Sequence, residues 1–338
     1  MRPFTFVDAA TVDEAANTFG ANSDAMFFAG GTTLVDLMKL EVMIPGTLVN
    51  VGPLPLRSIS VSPHNILVGA NVRNSELAHH RAIRERYPVL AEALLSGASA
   101  QLRNMATTAG NMLQKTRCSY FRDITARCNK REPGSGCDAL NGINRSHAIL
   151  GTSEHCIAVF PSDMCTALAI LDPIIHTRKT DGSTREIAFR GFHLLPGSTP
   201  DRENALERGE LITHLELPDV PVARRSHYLK VRDRASYEFA LASAAVAFEL
   251  DGDRIVEARI ALGGIATRPW RAIAAESTLA GRKATRENFR AAAEAALAQA
   301  KPRQHNQFKV ELAKRTLVFA FEELLQEALR ENLCPQPW

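Results

Sequence analysis

The chain is 338 residues long, 45% apolar and 23% charged, with a net charge of +3. That length buries a large core and divides into two or three domains at the usual ~100 to 200 residues each, while so small a charge, spread along the chain, gives nucleic acid no purchase. Asp8, Asp13 and Glu14 interrupt the place of a secretory signal, and the longest apolar stretch, Phe239 to Phe248, falls far short of the ~20 residues that span a bilayer, so no membrane insertion is expected.

The first fifty residues predict a β-α-β-α-β unit. "FTFVDAATVDEAANTFG" reads as a strand and then a helix, with Thr11 as N-cap, Glu14 three residues on and Gly20 as the stop. Met26 to Ala29 read as a buried strand, Gly30 and Gly31 as a turn, and Leu34, Leu37 and Met38 as one helix face before the strand at 47–51. From 54 to 72 two strands flank a Pro/Asn turn, and 75–96 carries helical periodicity capped by Ser75. After a cysteine-bearing segment, "CIAVFPSDMCTALAIL" predicts strand, turn and helix, broken at Pro161 and Ser162. Strands "IIHTRK" and "TREIAF" flank Asp181-Gly182, a hairpin signal, and "ELITHLELP" closes the region near 218. Beyond 222, three strands and then helices over 269–280, 285–300 and 306–329 predict a separate α+β domain.

Two glycine turns carry the first functional signal. Gly30 and Gly31 between strand and helix let backbone N–H groups approach an anion, with Thr32 and Thr33 adding hydroxyls. Taken alone, the same residues make an ordinary tight turn, and neither the G-x-G-x-x-G nor the G-x-x-x-x-G-K-[ST] pattern is present. "QLRNMATTAGNMLQ" then sets Thr107, Thr108, Gly110 and Asn111 in a second such turn.

"FFAGGTTLVDLMK", "ATTAGNMLQ", "PSDM" and "KVRDRASYEFALASAAVAF" occur in order over essentially the whole chain. Together they resemble the FAD-binding medium subunits of the xanthine dehydrogenase and molybdenum hydroxylase family. Within it the chain is most similar to those FAD subunits of bacterial periplasmic aldehyde oxidoreductases that carry an additional 4Fe-4S cluster. The resemblance implies an α+β fold: a two-lobed FAD-binding domain of the vanillyl-alcohol-oxidase (PCMH) type over 1–220, with lobes about 1–53 and 54–220, then a CO-dehydrogenase-flavoprotein-like C-terminal domain over 222–330. It further implies that Met26, Phe27, Phe28, Ala29, Gly30, Gly31, Thr32, Thr33 and Leu34 form the first FAD loop, with Thr108, Gly110 and Asn111 in the second. Asp163 and Lys230 are implied as polar contacts to the cofactor. Read by themselves, Asp163 is equally a helix N-cap and Lys230 a surface lysine. Tyr237 is either near the flavin or an ordinary strand aromatic.

Cys118, Cys128, Cys137 and Cys156 are spaced C-x9-C-x8-C-x18-C, which fits neither the paired spacing of zinc fingers nor a ferredoxin run. Between 113 and 145, seven basic residues (Lys115, Arg117, Arg122, Arg127, Lys130, Arg131, Arg145) face three acids (Asp123, Glu132, Asp138), a surplus of four. That surplus suits a dianionic tetrathiolate metal site, whether zinc or 4Fe-4S, better than free thiols or two disulfides. Pro133, Gly134 and Gly136 supply turns that let the chain wrap a compact centre. The resemblance selects a 4Fe-4S cluster in an insertion at about 115–156. His147 and His155 flank the fourth cysteine, either accepting or donating a hydrogen bond behind the metal ligands or standing as plain surface and packing histidines. Cys165 reads as core, and Cys334 carries no assignment.

No nucleophile elbow, H-E-x-x-H motif or triad accompanies these features. The expectation is an electron-carrying FAD and 4Fe-4S subunit of a heterotrimer. A large subunit with the molybdenum cofactor would oxidise an aldehyde, a small subunit with two 2Fe-2S clusters would relay electrons, and an external electron acceptor would take them from the FAD. A zinc-stapled adaptor or a stand-alone flavin oxidoreductase are the alternatives. Periplasmic residence is implied, reached beside a partner bearing a twin-arginine signal, with the cytoplasm as the fallback.

Overall fold

The computed structural model describes residues 1–333; Cys334 lies outside them. Strands β1 (Thr5–Asp8), β2 (Ala25–Phe28) and β3 (Thr47–Asn50) are parallel in the order β1-β3-β2, with Thr47 opposite both Thr5 and Ala25. Helices α1 (Val12–Ala21) and α2 (Leu34–Lys39) make the crossovers. Thr11 Oγ1 accepts the Glu14 N–H at 3.1 Å, as the sequence predicts, while Glu14 Oε2 accepts from Ala10 at 2.8 Å. The helix runs one residue past Gly20.

A second sheet is antiparallel throughout: β4 (Ile59–Val61), β5 (Asn65–Gly69), β6 (Ile174–Arg178), β7 (Thr184–Ala188) and β8 (Leu211–Pro218), in the order β4-β5-β8-β6-β7. The hairpin between β6 and β7 turns at Gly182, whose φ of 80° a glycine adopts freely. Two expectations need correction. The 75–96 stretch is not one helix but Asn74–His79, Arg81–Arg86 and α3 (Pro88–Ser96). Extended backbone at His80 and irregular backbone at Tyr87 part them, and Pro88 has no N–H with which to continue a helix. The cap is Arg73, whose N–H goes to Glu76, and Ser75 lies inside the first turn. Residues 156–160 form no strand, because their backbone bonds go singly to Ser153, Ala148 and Ala266. Helices α4 (Thr108–Met112) and α5 (Asp163–Leu171) frame that segment, α5 being capped by Ser162 and not by Asp163.

The C-terminal part is the predicted α+β unit with one strand more than expected: β9 (Ser226–Val231), β10 (Ala242–Asp251), β11 (Arg254–Gly263) and β12 (Trp270–Arg271) run in the antiparallel order β12-β11-β10-β9, and β12, paired to Ala261 and Leu262, takes the place of the first turn of the helix read over 269–280. Helices α6 (Ile273–Leu279), α7 (Arg286–Leu297) and α8 (Phe308–Leu333) follow. The small residues of β10 have a packing reason. Strand alternation sends Ala245 and Ala247 into the core shared with the first two sheets and Ala244, Val246 and Phe248 into the core under α7 and α8. There Phe289 stacks on Phe321 with centroids 4.9 Å apart.

His227 ties the two parts together, its nitrogens 3.0 Å from Glu92 on α3 and 3.0 Å from Glu323 on α8. Burial opposes its charging, but the hydrogen bonds and charges of the two glutamates outweigh burial and raise its pKa. A raised folded-state pKa gives stability that is complete below the unfolded value of about 6.5 and is lost as pH climbs through the folded value. The urea midpoint is therefore expected to fall as pH rises from about 6.5, and His227→Gln should flatten that slope.

Candidate cofactor groove and thiol cage

A groove of about 480 Å³ opens between the β1-β3-β2 lobe and the α4 region, a volume ordinary for a ligand site. All nine residues from Met26 to Leu34 line it, with Gly110 opposite. Gly30 leaves no room for a side chain while the two loops keep their spacing: a Cβ there would stand 2.1 Å from the Met105 carbonyl oxygen. Gly31, at φ 68°, is also tight, since a Cβ there would stand 2.7 Å from the Phe28 ring. Phe27, Phe28 and Leu34 give the groove apolar walls, while backbone N–H groups, the Thr32, Thr33 and Thr107 hydroxyls and Lys115 give it donors. Apolar walls with donors and a cation among the lining residues suit a nucleotide with a phosphate bridge, so the residues present fit FAD.

Other predicted contacts lie elsewhere. Thr108 is buried behind the groove and donates to the Val72 carbonyl, while its neighbour Thr107 faces the groove and caps α4. Asn111 accepts from Ser162 and Gln114, both at 2.7 Å. Asp163 and Lys230 pair with each other at 2.8 Å, their side chains 10% and 4% exposed, and Tyr228 donates to the same carboxylate at 2.6 Å. They join α5 to β9 in the wall of a neighbouring cavity to which Asp163 contributes, and neither lines the groove. Removing one member of a buried pair strands the other, so Lys230→Met is expected to lower unfolding free energy by about 3 to 5 kcal/mol in urea titrations. Tyr237 is exposed on a loop, at the left-handed φ of 54°. Thr107 lines the groove from the second glycine turn, as its hydroxyl suggested; Asn71, and Lys115, which the sequence placed only among the cations of the thiol segment, are groove residues that no motif pointed to.

The thiol segment wraps as expected. Gly134 and Gly136 take φ of 87° and 106°, and Cys128 and Cys137 face each other across an antiparallel bridge. All four cysteines line one small enclosed cavity, and all are free thiols, as is the core residue Cys165. Among the described residues no three His, Cys, Asp or Glu side chains meet closely enough to hold a single metal ion. Burial pushes the Cys118 thiol up to about 12 and that of Cys156 to about 11, the Lys130 charge resisting at the latter; occupation by a metal would expel those protons.

The surplus of positive charge is smaller in the fold than along the segment. Asp36 takes Arg117 and Arg122 at 3.0 and 2.8 Å, and Asp233 takes Arg145 at 2.6 Å. Glu203 holds Lys115 and, at 2.9 Å, Lys130. These acids come from distant parts of the sequence. Glu203 matters for a second reason: Lys115 lines the groove and Lys130 lines the thiol cavity, so one carboxylate anchors a cation of each. His155 is exposed, whereas His147 is buried with its Nε2 3.1 Å from Cys118 Sγ.

Residues 2–220 match the FAD binding domain in molybdopterin dehydrogenase, and residues 227–324 match the CO dehydrogenase flavoprotein C-terminal domain. The aldehyde oxidoreductase FAD-binding subunit PaoB of Escherichia coli K12 is 47% identical over 97% of this chain and all of its own length. The glyceraldehyde dehydrogenase medium chain of Sulfolobus acidocaldarius is 24% identical over 95% of this chain and 98% of its own. Among solved structures, quinoline 2-oxidoreductase from Pseudomonas putida 86 superposes with a TM-score of 0.75 over 97% of this chain and 98% of the other, at 23% identity, a likeness of fold alone.

Proposed function

We infer the role from the family: this chain belongs to the FAD-binding subunits of the molybdopterin dehydrogenases, and as such it is the medium subunit of a molybdenum hydroxylase with a large molybdenum-bearing and a small iron–sulfur partner. We propose that the assembly is an aldehyde oxidoreductase. The observation that carries this is the 47% identity with an aldehyde oxidoreductase subunit along that subunit's whole length. FAD supplies a centre that accepts electrons singly and can release them in pairs. The chain's own residues do the rest. Met26 to Leu34 and Gly110 bind and orient the cofactor, the Gly30–Met105 contact fixes the groove's width, and Lys115 puts a positive charge on its wall.

The four thiols are assigned to a 4Fe-4S cluster. Zinc asks four sulfurs to meet at one ion, at about 2.3 Å, whereas a cluster asks each sulfur for a different iron and so for a lined wall. Cys118, Cys128, Cys137 and Cys156 line a wall. Electrons would come from the small subunit's 2Fe-2S clusters and leave to an external acceptor, and the complex would reside in the periplasm, exported beside a partner with a twin-arginine signal.

Affinity purification of the tagged chain from its native host tests the assignment. A molybdenum-bearing partner should copurify, and an added aldehyde should bleach the flavin absorbance of the complex. A chain that elutes alone, with a flavin no aldehyde reduces, would refute it.

A further inference from the structure

This inference rests on the cluster assignment above. At the cage and close behind it the fold buries two polar groups whose presence the packing does not explain. The first is Lys309, in the opening turn of α8. It is fully buried, its Nζ donating to the carbonyls of Ser146 at 3.0 Å and Gly264 at 2.8 Å. No carboxylate among the described residues pairs with it. Burial, helped by the Arg145 charge, lowers its pKa to about 7. An ammonium sealed from water with only carbonyl dipoles around it is among the costliest groups a protein can keep, unless an anion stands near.

The second is His147, next in sequence to Ser146 and 2% exposed. Its Nε2 lies 3.1 Å from Cys118 Sγ, while its Nδ1 is buried without a hydrogen-bond partner. A proton on Nδ1 would be stranded there, so in the neutral ring it belongs on Nε2, pointing at the sulfur. The backbone that carries the ring is pinned. The His147 N–H donates to the Asn144 carbonyl at 3.0 Å, and Asn306 Nδ2 donates to the His147 and Ala148 carbonyls, each at 3.3 Å. His147 thus presents a hydrogen-bond donor to the Cys118 sulfur, and the C-terminal domain sets the Lys309 charge close behind that histidine.

We propose that His147 and Lys309 raise the reduction potential of the cluster from outside the cage, His147 through an N–H···S hydrogen bond to Cys118 and Lys309 through its uncompensated charge. Reduction adds one electron to a centre that is already anionic and makes or breaks no bond. The electron comes from the small subunit's clusters or, in a titration, from dithionite. A donor to the ligand sulfur and a buried cation nearby both stabilise the added charge, so both act in the same direction. His147 and Lys309 are positioning residues, since His147 reaches the cluster only through Cys118.

The test is an EPR-monitored redox titration of the complex, purified without oxygen, alongside iron and sulfide analysis. His147→Phe keeps a ring of similar size and loses the N–H. It should shift the reduction equilibrium about tenfold towards the oxidised cluster, a fall of about 59 mV for one electron. His147→Gln, which restores a donor, should recover part of that shift, and Lys309→Met should lower the potential with His147 intact. Should Lys309→Met fail to fold, the His147 pair decides alone. Unchanged potentials in the variants, with about four irons retained, would overturn the proposal. Wild-type protein holding zinc or no metal would overturn the cluster assignment instead.

Discussion

Gly30→Val is expected to yield folded protein that purifies without flavin. A side chain at position 30 would meet the Met105 carbonyl oxygen at 2.1 Å, its carbonyl carbon at 2.8 Å and Ala106 Cα at 3.1 Å. All three are backbone atoms, so no rotamer change relieves the clash, and the loop between β2 and α2 must part from the 105–107 segment. That segment leads into Thr107 and Gly110 on the opposite wall, so the groove loses its width just where the two loops grip one ligand. FAD affinity should drop at least ~100-fold, about 2.7 kcal/mol, read as the ratio of flavin absorbance to protein with circular dichroism unchanged. Gly110→Ala is the milder comparison, because its new methyl would meet only the Thr107 hydroxyl, at 2.8 Å, and that side chain can turn. Full flavin content in Gly30→Val would mean that the cofactor lies elsewhere.

Cys128→Ser should empty the cage. Cys128 is 7% exposed and its backbone is bridged to that of Cys137, so the site has no room to recruit a replacement ligand, and an alcohol is a poor substitute for a thiolate. Iron is expected to fall from about four per chain to below about one. Loss of the cluster should also reach the groove. Without an anion in the cage, Lys130 and Lys115 remain as two cations on Glu203, and Lys115 loses part of its hold on the groove wall. A coupling of this kind is worth about fivefold in flavin affinity. Cys165→Ala supplies the contrast: that thiol is fully buried in α5, away from the cage, so iron should stay constant while stability falls.

Local features were readable in the sequence wherever one residue type had one physical reason to be there. Thr11 capped its helix, Gly134 and Gly136 turned the thiol segment, and Gly30 and Gly31 made the close approach that their lack of a side chain permits. Contacts set by tertiary structure were not readable. Three helices replaced one over 75–96, because Pro88 and the backbone at His80 and Tyr87 override a continuous apolar period. Counted along the segment, the arginines look unpaired, since Asp36, Glu203 and Asp233 reach them only through the fold. Lys230 and Lys309 show the same limit from the other side. A lone lysine in a sequence looks solvated, yet one is paired with Asp163 in a domain junction and the other is sealed on the Ser146 and Gly264 carbonyls. His147 gave no signal beyond lying nine residues before Cys156.

Whether the four thiols enclose a 4Fe-4S cluster is decided most directly by elemental analysis of the chain purified under anaerobic conditions from its native complex. About four iron and four acid-labile sulfide per chain, with one FAD, is the predicted outcome. One zinc per chain, with neither iron nor sulfide, would contradict it.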